Sequence, residues 1–244
     1  MTSIRVERDA DARVVVLTID RPEARNACTL AMWAALADAL DSAAGDDDVS
    51  VVVVTGAGGA FCAGADVKEL QGGPPSAPEH SFQRFVEALD AFPKPLVAAV
   101  DGVAVGGGFT MLCYFDIVLA SPRARFRAPF VAMGLTAEAG SSQLLVQRIG
   151  WQRAAELFFT GAWLECDEAV RAGIVRHVVV GESLDAGALE LARSIGAMPF
   201  RALVETKRLM VAAGRDVAAA RAHESAVFAS LLATVRARGG EASV

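Results

Sequence analysis

The chain has 244 residues, a hydrophobic share of 53% and a formal net charge of −6. So much apolar material, with a mean hydropathy of +0.38, excludes a disordered or low-complexity chain. The acidic balance excludes a generic nucleic-acid binder, which needs a basic face for phosphates.

The predicted elements follow in chain order. Residues 4–8 and 13–20 are rich in β-branched side chains and flank Asp9-Ala10-Asp11. They predict a hairpin that leads into a core strand. Leu30, Trp33, Leu36 and Leu40 recur at helical spacing, which predicts a helix over 29–41. Residues 49–55 form a continuous β-branched run, the pattern of a strand buried on both faces. A breaker-rich stretch, 71–78, predicts a mobile loop. Phe82, Phe85, Val86 and Leu89 make a helical stripe. Strands are predicted at 96–100, 116–120 and near 125–127, with a helix starting near Gly107 between the first two. Ser141 or Ser142 is placed to cap the next helix. From Trp151 onward the pattern reads as wholly helical, with segments at 152–160, 167–172, 184–195, 200–213 and 217–236.

The organisation is therefore α/β to about residue 150 and helical beyond it. No repeat of 20–50 residues is visible. The N-terminus carries charges where a signal peptide needs its apolar run. The most apolar stretch, 95–115, contains Asp101 and a triple glycine, so it does not read as a membrane span. These signs point to a cytoplasmic protein. Cys28, Cys62, Cys113 and Cys166 are far apart, without the spacing of a zinc site or a disulfide framework. They read as reduced core or pocket residues, and no metal is expected.

Two segments carry the chemistry. Residues 56–69 (GAGGAFCAGADVKE) and 101–110 (DGVAVGGGFT) each follow a strand with a run of small residues. Small residues let backbone amides face a cavity unobstructed. Neither segment is a P-loop, and the second lacks the continuation of a dinucleotide fingerprint. Two Gly-rich strand ends suggest two amides converging on one oxygen, an oxyanion hole.

Four segments occur in order: RPEARNA (21–27), FCAGADVKEL (61–70), DGVAVGGGFTMLCYFDIVLAS (101–121) and MGLTAEAGSSQLL (133–145). On these the chain resembles the crotonase superfamily, the enoyl-CoA hydratase/isomerase family, over essentially its whole length. The resemblance implies a crotonase-like α/β spiral of ββα repeats over 1–190. A helical oligomerisation region would follow over 191–244, in a homotrimer or a dimer of trimers. It implies an acyl-CoA thioester substrate and no separate cofactor, coenzyme A being part of the substrate. No nucleic-acid or membrane partner is implied. The amides of Ala65 and Gly107 would hold the thioester oxygen. Ala63, Ala65, Asp66, Val67 and Lys68 would line the coenzyme A path, with Arg25 and Lys68 meeting its phosphates or ribose. Phe130 would face the acyl group.

The departures from the family pattern choose among reactions. Hydratases of the family use two glutamates to activate water, and the corresponding positions here are Thr110 and Phe130. Glu138 instead stands where the family's Δ3,Δ2-enoyl-CoA isomerases carry their catalytic glutamate. The resemblance thus implies a Δ3,Δ2-enoyl-CoA isomerase with Glu138 as acid/base. The alternatives are a ring-modifying isomerase of the epoxyphenylacetyl-CoA type, a weak hydratase, or a non-catalytic acyl-CoA-binding protein. Among the other acidic residues, Glu69 reads as a solvated helix residue, and Asp66 as one that orients its loop.

Overall fold

The structure is a computed structural model. It describes residues 3–72, 78–180, 183–212, 221–222, 225–226, 228–230 and 232–233. The loop expected at 71–78 falls largely outside them.

The chain opens with β1 (Ile4–Asp9) and β2 (Val14–Ile19), paired antiparallel as the hairpin pattern predicts. Next is α1 (Leu30–Ala44), whose N-cap Thr29 accepts from the Met32 amide. β3 (Val51–Gly56), β4 (Leu96–Val100) and β6 (Ile117–Ala120) extend a parallel sheet from β2. Between them lie α2 (Val67–Gly72), α3 (Pro78–Ala91), β5 (Val103–Val105) and the single turn α4 (Gly107–Thr110). β7 (Arg125–Arg127), α5 (Ser141–Ile149), α6 (Trp151–Thr160), β8 (Leu164–Glu165) and α7 (Cys166–Ala172) follow. The last elements are β9 (His177–Val178), α8 (Leu184–Gly196) and α9 (Phe200–Ala212).

The strands form a six-stranded sheet, β1-β2-β3-β4-β6-β9, and a small one, β5-β7-β8. Alternate residues of the central strands face opposite sides. Val51, Val53, Val97 and Ala99 pack against Ala188 and Ala192 of α8. Val52, Val54, Ala98 and Val100 pack in the main core with the apolar faces of α1 and α3. Both faces are covered, which is why these strands are continuously apolar.

Two expectations need correction. The region after Trp151 is not wholly helical, because β8 and β9 each add an edge to a sheet. Two-residue strands carry too little alternation to be read from sequence. Ser141 is the first residue of α5 and not its cap. The cap position belongs to Gly140 (φ 67°), and the Ser141 hydroxyl donates instead to the Glu138 carbonyl at 2.6 Å. Of the helix expected at 217–236, residues 221–222, 225–226, 228–230 and 232–233 are described, and they are helical. No helix among the described residues is long and apolar enough to cross a membrane.

Candidate active site

The two Gly-rich strand ends lie side by side. The Phe61 and Cys62 amides both donate to the Val103 carbonyl, and the Val105 amide donates to the Cys62 carbonyl. This short ladder lays residues 61–64 along β5. Cys28 and Ala65 form a further bridge, closed by Cys28 N to Gly64 O and Asp66 N to Cys28 O. Gly64 has a φ of +91°, and a Cβ there would meet the Val105 carbonyl at 2.8 Å and the Gly107 nitrogen at 3.6 Å. Only glycine permits both that backbone and that approach. The approach puts Ala65 next to the first residue of α4.

The Ala65 and Gly107 amides donate to no backbone acceptor among the described residues. Gly107 opens a helical turn, where amides lack intrahelical partners. Both residues line one mainly apolar cavity of about 230 Å³, together with Trp33, Phe82, Phe130 and Glu138. A Cβ on Gly107 would lie 3.3 Å from Glu138 Oε1 and 3.0 Å from the Phe82 ring. The carboxylate therefore stands beside the Gly107 end of the amide pair.

The Glu138 loop is tightly held. The Ser141 amide and hydroxyl both donate to the Glu138 carbonyl, at 2.9 and 2.6 Å. The Tyr114 hydroxyl donates to the Ala139 carbonyl at 2.7 Å. Ala139 has a φ of 54°, a left-handed conformation that costs a non-glycine residue roughly 1 kcal/mol. The Thr110 hydroxyl donates to Glu138 Oε1 at 3.3 Å.

The remaining site residues expected from sequence divide into two groups. Ala63, Ala65, Asp66, Val67, Gly107, Phe130 and Glu138 all line the cavity. Arg25 and Lys68 do not, and both are exposed at the surface. The Arg25 backbone is left-handed (φ 50°), and its carbonyl accepts from the Ala63 amide at 3.1 Å. Asp66 orients its loop. It accepts from Arg21 Nη1 at 2.6 Å and from the Lys68 amide at 2.9 Å. The Arg21 guanidinium holds the Asp66 carboxyl below its ordinary value.

Glu69 corrects another expectation. It is not merely solvated, because its Oε2 accepts from the Leu30 amide at 2.7 Å at the start of α1. It contributes to the cavity wall as well. A contact across 39 residues leaves no trace in local periodicity. The buried thiols of Cys28 and Cys62 lie 3.8 Å apart without a disulfide. Burial, then the neighbouring Cys62 thiol, push the Cys28 thiol well above its usual range, so it stays protonated. Among the described residues, no cluster of three His, Cys, Asp or Glu could hold a metal ion.

The family model described as enoyl-CoA hydratase/isomerase matches residues 9–243. The chain belongs to the enoyl-CoA hydratase/isomerase family. Among solved structures of the family, an enoyl-CoA hydratase/isomerase from Pseudoalteromonas atlantica superposes with a TM-score of 0.91 at 36% identity. That match covers 97% of this chain and 94% of the other. The mixed α/β architecture is thus the fold of the crotonase superfamily. Two relatives from Escherichia coli differ in reaction. A 2,3-dehydroadipyl-CoA hydratase is 35% identical over 91% of this chain and 88% of its own. A 1,2-epoxyphenylacetyl-CoA isomerase is 37% identical over 76% of this chain and 74% of its own. Enoyl-CoA hydratase/isomerase family members named for both hydration and isomerisation are therefore similar to it. Family membership alone does not choose between the two.

Proposed function

We propose that the chain is an enoyl-CoA isomerase that moves a double bond from C3 to C2 of an acyl-CoA thioester. One observation carries this reading: the Glu138 carboxylate stands beside the Gly107 amide, within an apolar cavity, at 3.3 Å from the Gly107 Cβ position. Of the other carboxylates in the cavity wall, Asp66 is paired with Arg21 and Glu69 caps α1. The positions at which hydratases of the family hold water are Thr110 and Phe130, which supply no carboxylate.

The chemistry follows from this arrangement. The Ala65 and Gly107 amides take the thioester oxygen and stabilise negative charge on it. Losing one such donor typically costs about 3 kcal/mol of barrier. Glu138 removes a proton from C2, and the electron pair moves onto the thioester oxygen as a dienolate. The proton is then returned at C4, and the double bond comes to rest between C2 and C3. One carboxylate suffices, and no water takes part. The Phe130 ring in the cavity wall keeps water from the reacting carbons. Coenzyme A would run along the 65–68 segment, with Lys68 and Arg25 as its exposed cations. No cofactor beyond the substrate's own coenzyme A is called for.

The trimeric assembly implied by the sequence resemblance has apolar surface available. Trp151 and Phe159, on one face of α6, are 70% and 69% exposed. Burying them against a second copy would remove that cost.

A ring isomerase is the second reading, favoured by the similarity to the epoxyphenylacetyl-CoA isomerase. It would use the same amides and the same carboxylate. The test is turnover of trans-3-enoyl-CoA, crotonyl-CoA and an aromatic epoxide thioester by the native chain and by Glu138→Gln. Double-bond migration should dominate, and Glu138→Gln should lose it by about 10²- to 10⁴-fold while still binding acyl-CoA. Near-native turnover in that variant would overturn the assignment. Binding without turnover of any of the three would mark a non-catalytic acyl-CoA binder.

A further inference from the structure

The Glu138 loop is also held by a residue that the reaction proposed above does not use. Residues 135–138 belong to no helix or strand, so the carboxylate takes its place from contacts made around it. On its C-terminal side the loop is tied to α5, where Ser141 bonds the Glu138 carbonyl through its amide and its hydroxyl. Between Glu138 and α5 two residues in a row are left-handed, Ala139 at φ 54° and Gly140 at φ 67°. Glycine adopts that backbone freely, and alanine does so only where its surroundings hold it. Here the Tyr114 hydroxyl donates to the Ala139 carbonyl at 2.7 Å, and the tyrosine is buried at 6% exposure.

Tyr114 closes a stretch that begins at Gly107. α4 runs directly into a tighter helical turn, Met111–Tyr114, and every residue of both is buried. Three points of this stretch meet the loop. Gly107 stands beside Glu138 Oε1, the Thr110 hydroxyl reaches the same oxygen, and the Tyr114 hydroxyl reaches the backbone one residue on. α5 is fastened to the same stretch farther along, because Arg148 donates to the Leu112 and Cys113 carbonyls and to that of Phe115 just beyond. The Gly107 amide and the Glu138 loop thus share one frame. Tyr114 is not among the residues that line the cavity, so it touches the loop and not the space a substrate would fill.

We infer that Tyr114 is a positioning residue, whose hydroxyl keeps Ala139 left-handed and so fixes the Glu138 carboxylate against the Gly107 amide. The inference rests on the isomerase reading of the site and adds to it a residue outside the cavity. Moving a double bond from C3 to C2 asks one carboxylate to serve two carbons, C2 and C4. The carboxylate must stand within reach of both, and a misplacement of about 1 Å can cost on the order of 10²-fold in rate. Without the hydroxyl, Ala139 relaxes toward an ordinary backbone and turns Glu138 with it. A glycine at 139 would keep the left-handed turn without help.

The test is a set of four chains: native, Tyr114→Phe, Ala139→Gly and the double variant. Tyr114→Phe keeps the ring in the core and removes only the donor. Turnover of trans-3-enoyl-CoA is measured well below each melting temperature, so that loss of folded protein does not enter. Affinity for a saturated acyl-CoA is measured by calorimetry. Tyr114→Phe should lower kcat by about tenfold and leave that affinity within about twofold of native. In the Ala139→Gly background the same change should lower kcat by less than about threefold, because glycine needs no clamp. A Tyr114→Phe chain that melts lower but keeps native kcat would overturn the inference, since the hydroxyl would then serve stability alone. Equal losses of kcat in the two backgrounds would overturn it as well. Neither result touches the isomerase reading, which fails instead if Glu138→Gln keeps near-native turnover.

Discussion

The Thr110 hydroxyl donates to Glu138 Oε1 at 3.3 Å, across 28 residues of chain. Thr110 is buried in α4, the helical turn that presents the Gly107 amide. One short element thus presents the Gly107 amide and holds the Glu138 carboxylate. By the sequence resemblance, the hydroxyl stands where hydratases of the family carry a glutamate. Under the proposed function, it orients the remaining carboxylate.

Thr110→Val keeps the shape and removes the donor. A hydrogen bond of this length to a charged acceptor contributes about 1 kcal/mol. The turnover number for 3-enoyl-CoA should fall by about fivefold, and affinity for a saturated acyl-CoA should not change. An unchanged turnover number in steady-state assays would show that the hydroxyl does not orient Glu138.

Gly107→Ala probes the space between the amide and the carboxylate. The added methyl would lie 3.0 Å from the Phe82 ring and 3.3 Å from Glu138 Oε1. Gly107 is not among the residues of positive φ, so the backbone itself tolerates alanine. The melting temperature should drop only slightly. Turnover should drop by at least about tenfold, because the thioester oxygen can no longer approach its donor. A variant with full activity would place the reacting group elsewhere in the cavity.

The Arg21–Asp66 pair should give the loop around Ala65 a pH-dependent stability. Asp66 is lowered from its ordinary 3.8 in the folded chain, so the charged form is favoured by folding. Its stabilising contribution is fully present above 3.8 and is lost as the pH falls through the lower, folded value. Both side chains are largely shielded, at 25% and 12% exposure, and the pair should contribute about 1 kcal/mol. Denaturant titrations should show Asp66→Asn destabilised near neutral pH, with the difference from the native chain closing once the pH is well below 3.8. A difference that persists at that acidity would assign the effect to lost packing.

Much of this protein was legible in local pattern. The run Val51–Val54 is apolar at every position because α8 covers one face of the sheet and α1 with α3 cover the other. The hairpin, the stripe on α3 and the small-residue strand ends likewise reflect constraints a few residues long. The absence of a carboxylate at Thr110 and Phe130, with one present at Glu138, is also a fact of sequence, and it narrows the chemistry before any coordinate is known.

Only the tertiary structure decided what those residues meet. That Thr110 reaches Glu138, that Glu69 meets the first amide of α1 and that Arg221 pairs with Asp90 depend on contacts between distant segments. β8 and β9 exist because β7 and β6 offer them edges, not because two residues have a strand period of their own. Secondary structure answers to periods of two and 3.6 residues. A site is an intersection of segments, and its geometry is set by how the sheet and its helices pack.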